Sequence, residues 1–454
     1  MAAFKPGRLR RTLTPITGDR GLLTVATANY TVNDDDVHSV SIARGNTSGR
    51  NTGYHPTTAE ISITGRRDSY DTGEHLRVLL QTGAAEALAA HLGISDYNQI
   101  RPRFMGRAGK IGIEDAGGNK FTSTVSGSGW LTQMHYSPHT FQPAHFAGVP
   151  GILRNMVDDG NAARNIDWSA NLGDMGVRKY GAAEEPITFK DGIGPFAEDI
   201  GIMVQERRDG TYRAWSHYSR EDQAAAGLGV QFPLMRSQAI APGTYEQANE
   251  TPPRLVRYRL WNTDGQNVTR EVELAHQTGQ FREVEEIDWS AWEGRFGDSQ
   301  LRREAYARAR MSSDMLFTLP KITIDLLLLL RQNTGYSRTI ARQALLLEAG
   351  EPVYLSGDWP PRIRGVHFAE GITETITPHS WVIELSLVPY PAVVGSTLPA
   401  VPPFGWDSGI WPWDDEPRPW AEASPTPPPT PVLSWHESVL QWDQNRIITE
   451  WRQR

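Results

Sequence analysis

From Trp381 to Val388 the side chains alternate without a break. Trp381, Ile383, Leu385 and Leu387 fall on one face, and Val382, Glu384, Ser386 and Val388 fall on the other. A period of two fits a pleated strand and no helix, and a strand with one apolar face must pair and pack against others of its kind. The pattern recurs upstream. Leu22–Val32 is rich in Thr, Val and Leu and runs into the turn-prone Asn33-Asp34-Asp35-Asp36. Val37, Ser39 and Ser41 alternate with His38, Val40 and Ile42, Ala59–Gly65 alternates again, and Leu76–Leu80 is a further short strand. Strands are expected at Arg103–Gly106, Lys110–Glu114, Phe121–Val125 and Gly129–His135, around a Gly117-Gly118-Asn119 turn. Short strands at close spacing with Gly and Asn turns predict a small sandwich or barrel. The Ala-rich Ala84–Leu92, closing at Gly93, predicts one helix inside it.

The middle of the chain reads as mixed. Ile152, Leu153, Met156 and Val157 recur at helical spacing. Asp209-Gly210 and Asp264-Gly265 each lie between β-prone flanks and predict two hairpins of the same kind. Ser299–Met311, dense in Arg, Glu and Ala, predicts a helix. Pro320–Leu330 reads as a strand, and Gln343–Leu347, Pro352–Leu355, Arg362–Val366 and Ile372–Pro378 continue the β pattern. The expected fold is mainly β: a β-barrel with a helical insert over 1–145, a mixed α/β region over 146–295, and a second β-barrel over 296–392.

After Tyr390 the composition changes. Eleven prolines fall between Pro399 and Pro431. Such a segment supports neither ladders nor helices, so 393–454 is expected to be an extended arm. Seven of the chain's 15 tryptophans lie at or beyond Trp406. Tryptophan is an efficient anchor at interfaces, so the arm is expected to dock on a neighbouring surface, with Trp406, Trp411 and Trp413 as anchors.

The charge balance excludes other classes. The net charge of -8 leaves no basic surplus for phosphate backbones, and the short basic cluster Lys5, Arg8, Arg10, Arg11 reads as a solvated terminus. The absence of cysteine removes disulfides, thiolate metal sites and cysteine nucleophiles together. The basic start runs into Leu13–Gly21 without an apolar core, so no signal peptide is expected. The longest apolar run, Leu326–Leu330, is far short of the ~20 residues that span a bilayer, so no membrane insertion is expected.

Local chemistry is sparse. Asp34-Asp35-Asp36 lacks the alternate-ligand spacing of a calcium loop. His135, His139 and His145 are separated by Pro138 and Pro143, with no helix to align them, and read as surface or packing residues. Glu283, Glu285, Glu286 and Asp288 beside Trp289 and Trp292 bring to mind the paired carboxylates of glycoside hydrolases, but four acids in six residues read more simply as a solvated edge. Gly127-Ser128-Gly129 is not a nucleophile elbow, and the glycines of 171–181 and 192–194 form no phosphate-binding pattern. His436-Glu437 is isolated. No catalytic residue, metal or cofactor is expected.

Taken in order, the segments resemble the hub proteins of bacteriophage tail tips, especially minor tail proteins of phages of actinobacteria. Three places carry the likeness: Arg103–Ile111 followed by Thr124–Leu131, the closing hairpin Gly371–Pro389, and Phe404-Gly405-Trp406-Asp407-Ser408-Gly409. The second departs from the pattern by placing Glu374 where His is usual. The resemblance implies two barrel-like domains flanking an α/β middle, with three chains in a ring. A homotrimer of this kind would present a pseudo-six-fold face to the tail tube. It would join the tube to the host-recognition tip at the end of the virion, after synthesis in the host bacterial cytoplasm. The implied partners are the distal tail protein, the tape-measure protein and other tail-tip proteins. DNA would pass through the channel, between polar and acidic faces, without specific binding. Two other classes remain open at this point: a receptor- or carbohydrate-binding tail protein that uses exposed tryptophans, and a glycan-degrading enzyme that uses Glu285 and Asp288.

Overall fold

The computed structural model describes 21–132, 202–273 and 321–390 apart from short gaps, with shorter pieces at Leu13, Ile16, 138–188 and 282–318. The first strands are β1 (Leu23–Ala26), β2 (Thr31–Asn33), β3 (Val37–Gly45), β4 (Gly53–His55), β5 (Thr58–Thr64) and β6 (His75–Leu80). Helix α1 (Thr82–Leu92) follows and ends, as its sequence predicts, on Gly93 in the left-handed conformation at φ 66°. Next come the long β7 (Pro102–Gly117) and β8 (Lys120–Gly129). The two strands expected within 103–114 are thus one, and β8 ends at Gly129. Trp130 and Leu131 have left the sheet, because the backbone N–H of Trp130 donates to the Glu206 carboxylate rather than to a neighbouring strand (2.7 Å).

Both predicted hairpins form. In the first, β9 (Met203–Glu206) and β10 (Tyr212–Trp215) flank Gly210 at φ 78°. In the second, β13 (Pro253–Trp261) and β14 (Asn267–Glu273) flank Gly265 at φ 69°. The backbone there is left-handed, which is why each turn carries glycine. Between the hairpins lie α2 (His217–Ala225), β11 (Val230–Phe232) and β12 (Ile240–Pro242). A capping box between Ser216 and Ser219 starts α2. Strand β15 (Arg282–Gly294) runs parallel to β13. Of the expected helix at 299–311, 301–305 is helical and the rest lies outside the described residues. The helical spacing at 149–157 also lies outside them.

Two expectations fail in the last third. The segment read as one strand over 320–330 divides into β16 (Lys321–Asp325) and α3 (Leu326–Gln332). The Asp325 carboxylate accepts from Leu328 N–H at 2.9 Å, capping the helix, and the apolar run carries no period that would reveal this. Gln343–Leu347, also read as β, falls mostly in α4 (Gly335–Leu346), started by a Thr334–Ser337 capping box. The chain then forms β17 (Pro352–Leu355), β18 (Gly365–Thr377) and β19 (Ser380–Pro389). Along β19, Trp381, Ile383, Leu385 and Leu387 are all buried, as the alternation requires.

Thirteen strands form one sheet in the order β12-β16-β19-β18-β3-β5-β8-β7-β6-β1-β2, with β17 on the flank of β18 and β11 beside β17. Early and late segments meet where β18 pairs antiparallel with β3, Gly371 opposite Gly45 through Ile376 opposite Val40. A second, five-stranded sheet places β14, β13 and β15 beside Gly176–Lys179 and Ala147–Gly148. The architecture is mainly β, as the sequence predicts.

Candidate functional site: a buried charged seam

The residues that bring distant segments together are charged and buried. Arg44 lies next to the end of β3, Arg103 next to the start of β7 and Glu374 on β18. Arg103 and Glu374 are 0% exposed and Arg44 is 1% exposed. The Arg103 guanidinium grips the Glu374 carboxylate bidentately: Nη2 donates to Oε2 at 2.7 Å and Nε to Oε1 at 2.9 Å. Arg44 Nη1 donates to the Arg103 carbonyl at 3.1 Å, and Arg44 Nη2 lies 3.5 Å from Glu374. Trp381, on the neighbouring β19, donates its indole N–H to Glu374 at 2.9 Å. Three strands separate β18 from β7 along the sheet. The direct Arg103–Glu374 bond therefore requires the sheet to curl until these strands face each other.

The network continues into the middle of the chain. Arg208, in the β9–β10 turn, bonds Glu348 through Nε and the carbonyl of Leu347 through Nη2 (2.7 Å). Its other amino group meets the carbonyl of Leu345, which also accepts from Arg103. A single α4 carbonyl thus joins guanidiniums from two regions of sequence. A parallel contact fixes α2: Arg220 pairs with Glu370 and lies 5.2 Å over the Phe368 ring. Glu370 occupies the register shift of β18 between Ala369 and Gly371.

Burial presses the Glu374 carboxyl upward, but the Arg103 and Arg44 charges and the bonds from Arg103 and Trp381 hold it down at about 2. Burial lowers Arg103 to about 10, opposed by Glu374 and assisted by Arg208 and Arg44. Both groups are ionised at neutral pH. At Glu351, burial and the nearby Glu348 carboxylate raise the carboxyl above its ordinary range. Buried ion pairs add little net stability against an apolar core, but losing one partner is severe. With its charged atoms enclosed, the seam holds strand register and is closed to a substrate.

The sequence-predicted residues fall elsewhere. Trp406, Trp411 and Trp413 lie outside the described residues, as do His135, His145, Asp34, Asp35 and His436-Glu437. His139 lies on a two-residue strand, Pro138–His139. Among the described residues no group of three or more His, Asp or Glu is arranged to hold a metal ion, and no helix is long and apolar enough to cross a membrane. Glu285 and Asp288 project from opposite faces of β15, three residues apart on a strand, so they cannot flank one glycosidic bond. Glu286 instead completes an exposed ladder, Glu271–Arg257–Glu286, across β14, β13 and β15 at 2.8 and 2.9 Å. Sequence reasoning missed Arg44, Arg103, Arg208 and Glu348. The available signal was Glu374, an acid on the buried side of a strand and a departure from the resembled pattern.

No protein-family model and no curated protein matches the sequence. The fold does match solved structures. A tail protein from Neisseria meningitidis is 12% identical with a TM-score of 0.53, over 82% of this chain and 98% of that one. The 43 kDa tail protein of prophage MuSo2 from Shewanella oneidensis gives 10% and 0.49, over 82% and 99%. A component of the Escherichia coli type VI secretion system gives 11% and 0.44, over 83% and 79%. The chain has the fold of the Neisseria tail protein.

Proposed function

We propose that this chain is a structural subunit of a bacteriophage tail tip. In this reading it is a hub whose three copies close a ring between the tail tube and the host-recognition tip and gate the channel for genome ejection. The observation that carries the proposal is a fold shared with nearly the whole length of the Neisseria tail protein. The closed seam supports a mechanical role. Arg103, Arg44 and Glu374 hold the first and last strand sets in fixed register, which suits a ring that must bear load. Open strand edges suit lateral assembly: among the described residues β2 and β12 each bond one neighbouring strand only. The 393–454 arm, with Trp406, Trp411 and Trp413 as anchors, is assigned to docking on a neighbouring subunit. The distal tail and tape-measure proteins are the assigned partners, and DNA passes without specific binding.

Light scattering after size exclusion tests the ring. The expected mass is about 150 kDa, three times the 50.6 kDa chain. A monomer in solution that also enters purified tails as a single copy refutes the trimer.

A further inference from the structure

Strand β14 is an open edge with a roof. It bonds only β13 among the described residues, and the helical turn at 301–305 stands over its inner face. That turn is held from several directions: Tyr258 OH donates to the Leu301 carbonyl at 3.2 Å, His217 meets Glu304 at 2.9 Å, and Arg303 bonds Glu221 at 2.5 Å. Between strand and turn runs a groove of about 530 Å³ lined by Thr269, Arg270, Glu271, Val272, Leu301 and Arg302. An ordinary exposed edge is flat; this one is a mostly polar slot with apolar contacts at Val272 on the strand and Leu301 on the turn.

The backbone phase is set by the turn. Asn262 N–H donates to the Gln266 carbonyl at 2.9 Å. The antiparallel alternation that follows turns the backbone groups of Val268, Arg270 and Val272 toward β13 and leaves those of Thr269 and Glu271 facing outward. The two faces of β14 differ in charge. Arg270 projects to the groove face and Arg302 joins it from the roof, and neither makes an ion pair with a described residue. The opposite face carries Glu271 within the acidic ladder already described.

We propose, resting on the tail-tip reading for the identity of the partner, that this groove is a strand-addition site for an extended acidic segment of another tail protein. The incoming strand bonds the outward groups of Thr269 and Glu271. On its groove side it sets a carboxylate against Arg270 and Arg302 and an aliphatic side chain against Val272 and Leu301. Glu271 and Glu286 repel the same carboxylate from the other face, which fixes the strand's orientation.

The test uses the full chain and a fluorescein-labelled heptapeptide with valine, glutamate and valine at alternate positions and threonine between. Saturable binding by anisotropy is expected. The double variant Arg270→Glu, Arg302→Glu should weaken it at least about tenfold, and methylation of alternate peptide amides should abolish it. Circular dichroism and the oligomer mass are read on the same variant. No saturable binding overturns the proposal, as does binding indifferent to methylation or to charge reversal. A change in oligomer mass on charge reversal also overturns it, since the occupant would then be a second copy of this chain.

Discussion

Replacing Glu374 with Gln removes one negative charge and almost no volume from the seam. The cost follows from the site. A carboxyl with an ordinary value of 4.5 held at about 2 is favoured in its ionised form by about 3 kcal/mol, at about 1.4 kcal/mol per pH unit. Breaking a buried pair, which strands Arg103 and Arg44 without a counter-charge, costs about 3–5 kcal/mol by independent reasoning. A loss of about 3 kcal/mol at pH 7 is therefore expected for Glu374→Gln. Because the folded carboxyl sits below its unfolded value, its contribution is present above about pH 4.5 and fades as pH falls toward 2. The gap between wild type and variant should close over that window. Urea unfolding followed by tryptophan fluorescence, repeated from pH 7 to pH 3, measures it. In a double-mutant cycle, Arg103→Met combined with Glu374→Gln should cost less than the sum of the two alone. A loss under about 1 kcal/mol at pH 7, or a gap unchanged down to pH 3, refutes the assignment of the seam to Glu374.

Two further outcomes are expected. His367, on β18 between β17 and β19, is held by burial at about 4, with the Gly365 backbone opposing. Its neutral form stabilises the fold above the ordinary value of 6.5, and that contribution is lost as pH falls from 6.5 toward 4; His367→Leu should flatten the melting temperature across this window in a thermal scan. At Gly350, φ is +85° and an added Cβ would lie 2.5 Å from Met203 Cε and 2.9 Å from Trp215 Nε1. Gly350→Ala should cost about 2–4 kcal/mol, whereas Gly265→Ala, at φ +69° with nothing within 4 Å, should cost about 1 kcal/mol. Equal melting shifts for the two would refute the crowding argument.

What the sequence revealed depends on the range of the force responsible. The alternation of β19, the glycine stop of α1 and both Asp-Gly hairpins are local effects, and each is present as read. Leu326–Leu330 shows the limit: five leucines in a row carry no period, and the deciding contact is one capping carboxylate at Asp325. The seam was illegible for another reason. Arg103 and Glu374 are 271 residues apart, and nothing in either neighbourhood marks the other. Only the oddity of an acid at 374 on a buried face pointed inward. In the same way the acidic run at 283–288 looked like one cluster, but strand geometry divides it between two faces.

The pairing of β3 with β18 has a consequence for how the chain is made. Arg44 and Glu374 are 330 residues apart, so at synthesis rates of about 5–20 residues per second β3 waits roughly 15–65 s for its partner. Throughout that interval one side of β3 offers an unmated row of amides and carbonyls to any sister chain being translated nearby. Such high contact order also slows the final closure itself. Yield of assembled protein should therefore be governed by events on the ribosome, and lower temperature or chaperone supply during expression should change recovery more than any adjustment made after purification.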